Sequence, residues 1–327
     1  MYNRTLVLST LLVAIPVLAS AAPVARQQAQ EIARQFMIEK GMTTENAEMA
    51  FKAPRRGQVA DENAYYYVFN APQNRGYVIV SGDDRTAEIL GYAYKGTFDE
   101  SQLPMHFKSF LQTYADEIQY LDDAKISEVQ RAPRRAEEQD YDPIEPLLSS
   151  HWDQGTPYNA LCPGGSPTGC AATSTAQVMY YHKWPAATIA EIPSYYTSSR
   201  HYHMEAVPAG TTLNWDAMID SYNYSSSSES RQAVAELMSY VGRSMKMDYD
   251  FMGSGVFSQD MAPGISTCFD YQATQLYRKN YPLVAFEDSI YQQLATGYPV
   301  IFNGMSTGGG HSFVVDGYDS NHYFHIN

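Results

Sequence analysis

At 327 residues the chain exceeds the usual size of a single hydrophobic core, so two domains are expected. Its formal charge of −14 lies mostly in the second part: residues 23–135 hold 14 Lys/Arg against 16 Asp/Glu, and residues 136–327 hold 7 against 20. So acidic a half repels phosphate backbones and argues against a nucleic-acid partner, while three cysteines, an odd number, argue against a disulfide-stapled scaffold.

Arg4, the uncharged run Thr5 to Leu18, and Ala19-Ser20-Ala21 follow the basic, apolar and small-residue order of a secretory signal peptide, with cleavage near Ala21 or Ala22. The apolar run is short and interrupted by Pro16, unlike a membrane anchor, and no later segment is long enough to span a bilayer. A secreted protein without a membrane span is expected. Ile32, Ala33, Phe36 and Met37 recur at helical spacing, which predicts a short amphipathic helix ended by Gly41. The aromatic and β-branched runs Tyr65 to Phe69 and Tyr77 to Ser81, separated by turn residues 72–76, predict a hairpin, with Ile89 to Tyr94 as a third strand. Phe107, Phe110, Leu111, Tyr114, Ile118 and Leu121 then share one face of a helix.

Residues 130–140 lack apolar periodicity and concentrate charge, so they read as a linker. Ala-Pro-Arg-Arg occurs there, at Ala132 to Arg135, and again at Ala53 to Arg56. Exposed basic loops are preferred nicking sites. The copy at the boundary, with Arg131, Arg134 and Arg135, is expected to be a processing site; for the earlier copy, coincidence and nicking stand equal. Further on, Val234, Leu237, Met238 and Val241 predict a helix, and Tyr298 to Phe302 a strand. Helices first and strands last make the second part α+β rather than doubly wound. Spacing alone does not decide whether Cys162 and Cys268 are bridged.

Two stretches carry chemistry. Gly169 to Tyr181 is an uncharged, buried helix that opens on Cys170. The first turn of a helix offers unpaired N–H groups and a positive dipole end, and with a neighbouring imidazolium these lower a thiol pKa from ~8.5 to about 3–4. Gly308-Gly309-Gly310 precede His311, and alternation along His311 to Asp316 puts His311, Phe313 and Val315 on one face. Each alone has an ordinary explanation: a small packed cysteine, a structural histidine. Together, 141 residues apart, they suit nucleophilic acyl transfer. If Tyr318 pairs with His322 in the final hairpin, Asn327 lies opposite Phe313 and diagonal to His311, roughly 7–8 Å away, whereas a one-residue slip turns it to the other face.

Gly304 to Gly308 satisfies G-x-S-x-G, but a serine-hydrolase elbow needs a following helix and then Asp and His, whereas the 19 residues left read as strands. His201-Tyr202-His203 has no HExxH or cysteine pair beside it, so neither metal nor cofactor is expected.

The block Thr168 to Met179, with Gly169-Cys170-Ala171-Ala172 at its start, and the block Gly310 to Gly317 resemble the streptopain and interpain family of secreted bacterial cysteine peptidases. Asp153 to Asn159, Tyr181 to Pro185 and Met247-Asp248-Tyr249 extend the likeness, and Gly76 to Asp83 is similar to the family's prodomain. The resemblance implies a signal peptide (1–22), an inhibitory α+β prodomain (23–135), and a papain-like peptidase domain (136–327), a central helix packed on an antiparallel sheet. It also implies a Cys170/His311 dyad, with Gln154 and the Cys170 N–H holding the oxyanion. Protein or peptide substrates are expected, with the prodomain as intramolecular inhibitor holding the histidine out of position. Gly253-Ser254-Gly255 resembles a substrate-flanking loop, and the family favours an apolar side chain two positions before the scissile bond. In the family Asn327 precedes a Trp-Gly-Trp-Gly run whose first tryptophan packs by the catalytic histidine; this chain stops at Asn327, so it is expected to be C-terminally truncated. Two other readings stay open: an amidase or transpeptidase on the same scaffold, and a non-catalytic surface binding protein, against which the intact Cys, His and Gln set argues.

Overall fold

Tyr65 to Phe69 are buried without a break, so the strand they form must be covered on both faces. It belongs to a computed structural model that describes residues 23–43, 46–56, 63–103, 105–126, 141–306 and 309–327. The expected signal peptide, the linker and its Arg131, Arg134 and Arg135 lie outside these residues. The described chain divides into two compact units, one of residues 23–99 and 117–126, the other of residues 100–116 and 141–327.

In the first unit α1 (Arg26–Glu39) is followed by β1 (Glu48–Pro54), β2 (Ala64–Asn70), β3 (Tyr77–Ser81) and β4 (Ile89–Ala93), an antiparallel sheet in sequential order. The expected hairpin is β2–β3, with Tyr67 opposite Val80 and Val68 opposite Ile79. At its turn Gly76 has φ +101°, and a Cβ there would sit 1.8 Å from the Ala93 carbonyl oxygen, so only glycine fits. The helix α1 buries Ala29, Ala33, Phe36 and Met37, the predicted stripe. Strand β1 is an addition: two register shifts against β2 blur its alternation. The predicted helix over Phe107 to Leu121 is α2 (Met105–Asp123), whose first part belongs to the second unit and whose last part belongs to the first.

The first Ala-Pro-Arg-Arg copy is not an exposed loop. Pro54 ends β1, and the Arg55 guanidinium is buried against Asp83 (2.7 Å) and Asp122 (3.0 Å) while donating to the Gly82 and Ala64 carbonyls. Arg85 grips the same Asp83 carboxylate with two bonds of 2.7 Å and also meets Asp122. Burial opposes the charge on Asp83, but hydrogen bonds from Arg85 and Arg55 outweigh it and hold the carboxyl below its usual 3.8. Asp83→Ala would leave two guanidiniums buried side by side, and the expected loss is about 3–5 kcal/mol of this unit's stability, read by urea denaturation of the full chain. Because the folded pKa is depressed, the Asp83 contribution holds above about pH 4 and fades as the pH falls below it; a plot of urea midpoint against pH checks the sign.

In the second unit α3 (Cys170–His182) is buried from Ala171 to Met179 on every side, as its uncharged sequence requires. After the two-residue strands β5 (Tyr195–Tyr196) and β6 (His203–Met204), α4 (Ser228–Ser244) extends the predicted helix, and Ser227 caps it by accepting the Ser230 N–H. Leu237, Met238 and Val241 of α4 join Trp152, Met179, Met247 and Tyr249 in one core. Helix α5 (Ser258–Cys268) forms despite Pro263, and its Gly264 lies so close to α4 that a Cβ would meet the Ser244 carbonyl oxygen at 2.5 Å. Cys162 and Cys268 are both buried free thiols.

The remaining helix α6 (Leu283–Ala295) leads into β7 (Val300–Ser306), β8 (Gly309–Tyr318) and β9 (Phe324–Ile326), an antiparallel sheet in that order. Phe286, Ile290 and Leu294 of α6 pack with Val315, Phe302 and Phe313, while Val178 of α3 packs with Val314. Alternation along β8 thus gives one face to α6 and the other to α3. Gly304 and Ser306 belong to β7 and lead into β8, so no helix follows the G-x-S-x-G sequence. The final hairpin differs from expectation. Tyr318 pairs with Phe324, a shift occurs between Val315 and Gly317, and Asn327 exchanges backbone hydrogen bonds with Val314 rather than facing Phe313. The turn runs through Asp319, whose side chain accepts the Asn321 and Tyr323 N–H groups, and these extra turn residues reset the register.

Candidate active site

Cys170 opens α3 because Gly169 lets the chain turn into it. Gly169 has φ +86°, and a Cβ there would fall 2.7 Å from Met247 Sδ and 3.1 Å from the Ser254 carbonyl oxygen. Thr173 closes the first turn, its hydroxyl 2.8 Å from Thr168 Oγ1 and donating to the Gly169 carbonyl. Ser254, in the loop expected to flank substrate, donates to the Pro167 carbonyl at 2.6 Å. Gly169→Ala combines steric overlap with a backbone conformation costing about 1–3 kcal/mol. A lower melting temperature and slower alkylation of Cys170 by iodoacetamide are expected.

The Cys170 side chain is part-exposed in a small cleft of about 130 Å3 within the second unit. The same cleft is lined by Gln154, His311 and Asn327, so the four residues singled out from the sequence come together from three separate stretches of chain. Burial pushes the Cys170 thiol above its ordinary value, outweighing the N–H groups of Ser312, Ala171 and Cys170 itself, which favour the thiolate. The expected lowering combined the helix terminus with a neighbouring imidazolium, and in this structure the N–H groups act against burial without one. The sign predicts that alkylation of Cys170 in the unprocessed chain accelerates only as the pH rises through and beyond the usual thiol value of 9.0. A rate profile against pH, followed by mass spectrometry of the Cys170 peptide, tests this.

Gln154 sits on a segment without regular structure that is nonetheless pinned. Its carbonyl accepts the Thr168 N–H at 3.1 Å, two residues before Cys170, and Asp153 Oδ1 accepts the Gly155 N–H at 2.7 Å. Trp152 anchors the segment by donating Nε1 to the Ile219 carbonyl and by packing on Tyr158 and Tyr180. His311 stands on β8 opposite Gly304, its ring 6.0 Å from that of Phe313, which also contacts Phe302 and Phe110. Asn327 donates Nδ2 to the Ser150 carbonyl at 3.0 Å.

Three cleft residues were not anticipated. Ser312 supplies the backbone N–H to the Cys170 sulfur, and its buried hydroxyl lies 2.9 Å from that of Ser174 on α3. Gln177 is buried two turns after Cys170 and accepts hydrogen bonds from Ser150 and Trp152. A long amide side chain in an uncharged, buried helix whose other buried polar residues are short hydroxyls was the available signal for Gln177. Among the described residues no His, Cys, Asp and Glu grouping suits a metal, and His203 instead lies 3.1 Å from Glu205. No helix among them is long and apolar enough to cross a membrane.

Comparison with known proteins bears on this cleft directly. The thiol protease/hemagglutinin PrtT of Porphyromonas gingivalis is 31% identical over 346 residues, a match covering 98% of this chain and 39% of the relative. Streptopain of Streptococcus pyogenes is 29% identical over 295 residues, 83% of this chain and 72% of its own. A prointerpain A fragment from Prevotella intermedia superposes with TM-score 0.70 at 26% identity, covering 86% of this chain and 88% of that one. The active interpain A cysteine protease of the same organism gives 0.53 at 33% identity, covering 57% and 81%. The papain-like α+β fold expected of the second unit is the one these structures share. Residues 21–118 match the Spi protease inhibitor family, and residues 152–327, which include every residue lining the cleft, match the peptidase C10 family. The chain belongs to the peptidase C10 family.

Proposed function

We propose that this chain is the precursor of a secreted cysteine endopeptidase in which Cys170 is the nucleophile and His311 its acid–base partner. The observation that carries the reading is the single cleft into which Cys170, His311 and Gln154 are brought from α3, β8 and the segment before Thr156. The Cys170 thiolate adds to a peptide carbonyl carbon. The oxyanion so formed is held by the Gln154 side-chain amide and the Cys170 N–H. The C–N bond then breaks as His311, as imidazolium, gives its proton to the departing amine, leaving a thioester. Water, deprotonated by His311, attacks the thioester and releases the new carboxylate and the thiolate. Asn327 donates its Nδ2 to the Ser150 carbonyl, and its pairing with Val314 puts it on the other strand face from His311, so this reading assigns it no hydrogen bond to the imidazole.

Residues 23–135 are the intramolecular inhibitor in this reading, which the match to the Spi inhibitor family supports, and cleavage near Arg131, Arg134 and Arg135 releases it. The high thiol pKa of Cys170 fits a nucleophile kept quiet before processing. The substrates are proteins or peptides, and the signal-like leader supports export.

The test is labelling with a peptide chloromethylketone before and after limited trypsin treatment, in wild type, Cys170→Ala, His311→Ala and Gln154→Ala. Trypsin is expected to unmask labelling and casein hydrolysis in wild type. Cys170→Ala should show neither, His311→Ala no hydrolysis, and Gln154→Ala a fall in kcat/KM of about 10²–10³-fold. Equal labelling of wild type and Cys170→Ala would remove Cys170 as the nucleophile, and tryptic activation at a site far from residues 130–140 would overturn the processing assignment.

A further inference from the structure

Gln177 is buried on α3, seven residues after Cys170 and therefore on the same side of the helix, two turns along. Its side-chain oxygen accepts two hydrogen bonds, from Ser150 Oγ at 3.0 Å and from the Trp152 backbone N–H at 3.2 Å. Residues 145–154 have no ladder or helix to satisfy their backbone, so this oxygen stands in for one. Two consequences follow from the same atom. Trp152 is two residues from Gln154, whose other tether is the Thr168 N–H on its carbonyl. Ser150, held through its hydroxyl, offers its carbonyl to Asn327 Nδ2 at 3.0 Å. One buried amide thus links the nucleophile helix to the segment carrying Gln154 and to the end of the sheet carrying His311.

We infer that Gln177 is a positioning residue for the reaction: by holding Ser150 and Trp152 it sets where Gln154 presents its amide to the oxyanion. The inference rests on the Cys170 peptidase reading above. Gln177 lines the cleft, and in this role it acts through the two hydrogen bonds that its carbonyl oxygen accepts from Ser150 and Trp152. A positioning role has a signature that simple destabilisation lacks. Alkylation of Cys170 by iodoacetamide needs a reactive thiolate but forms no oxyanion, whereas amide hydrolysis needs both.

The experiment compares the two rates in the full chain after limited trypsin treatment, using a short peptide amide, for wild type, Gln177→Met, Ser150→Ala, Gln154→Ala and the pair Gln154→Ala/Gln177→Met. Gln177→Met keeps the volume and loses the acceptor. It is expected to lower kcat about tenfold or more with KM within about twofold, while alkylation and its pH profile stay within about twofold of wild type. Adding it to Gln154→Ala is expected to cost almost nothing further, because both act through the same amide. Ser150→Ala, which removes one donor and spares the rest, is expected to lower the ratio of hydrolysis to alkylation several-fold and serves if Gln177→Met does not fold. Parallel losses in alkylation and hydrolysis, fully additive effects with Gln154→Ala, or an unchanged ratio in Ser150→Ala would each overturn the assignment. A wild-type chain that alkylates at Cys170 yet hydrolyses nothing would overturn the peptidase reading itself, and the Gln177 role with it.

Discussion

The hydroxyl pair Ser174–Ser312, 2.9 Å apart and buried, joins two halves of the second unit that otherwise build separate cores. On one side α3 packs with α4 and α5 around Met179, Leu237 and Met245; on the other β8 packs with α6 through Val315 and Phe313. Ser174 lies one turn after Cys170, and Ser312 is the next residue after His311. The bond therefore acts close to both reactive side chains, and Val178 against Val314 continues the seam. Leaving either hydroxyl buried without its partner costs about 1–3 kcal/mol, which makes the seam a matter of register as well as attraction. The 2.0 periodicity of β8 and the 3.6 periodicity of α3 meet along this line, and a slip on either side would change which side chains line the cleft.

Burial at that seam has a chemical consequence. A helix N-terminus is worth typically 0.3–1 kcal/mol to a nearby negative charge and up to ~2 kcal/mol in favourable partly buried geometry, whereas desolvation shifts a pKa by several units. The Cys170 thiol is accordingly held up, even with the Ser312, Ala171 and Cys170 N–H groups aimed at its sulfur. If Cys170 is the nucleophile, a thiol held up by burial needs one further change to work, the approach of a cation or a loss of cover. In the proposed reading, processing supplies it.

Around the cleft the chain relies on single polar atoms where regular structure gives out. Gln177 stands in for a strand partner beside Trp152, Thr168 holds the Gln154 carbonyl, and Asp153 closes the turn at Gly155. The first unit does the same with charge: Asp83 satisfies two buried guanidiniums, so the Arg55 that reads as part of an exposed basic loop is instead a fixed structural group. Sequence alone could not separate these cases, because an arginine beside a proline looks the same whether or not a carboxylate waits 28 residues away.

Local pattern determined a good deal. The stripes of α1 and α2, the β2–β3 hairpin, the buried α3 and the opening of β8 were all legible, because their burial repeats with the period of one element. Cys170 and His311, which line one cleft, stood out for a related reason, each being a thiol or imidazole set at the start of such an element after glycine. What only the tertiary structure decided were relations between elements. Helix α5 runs across Pro263, and close packing of Gly264 on Ser244 accompanies it. A longer turn at Asp319 moved Asn327 from Phe313 to Val314, since strand register is set by where a turn closes and not by composition. Gln177 acquired its place only when Ser150 and Trp152 arrived beside it, because a hydrogen bond across 25 residues has no periodicity to read.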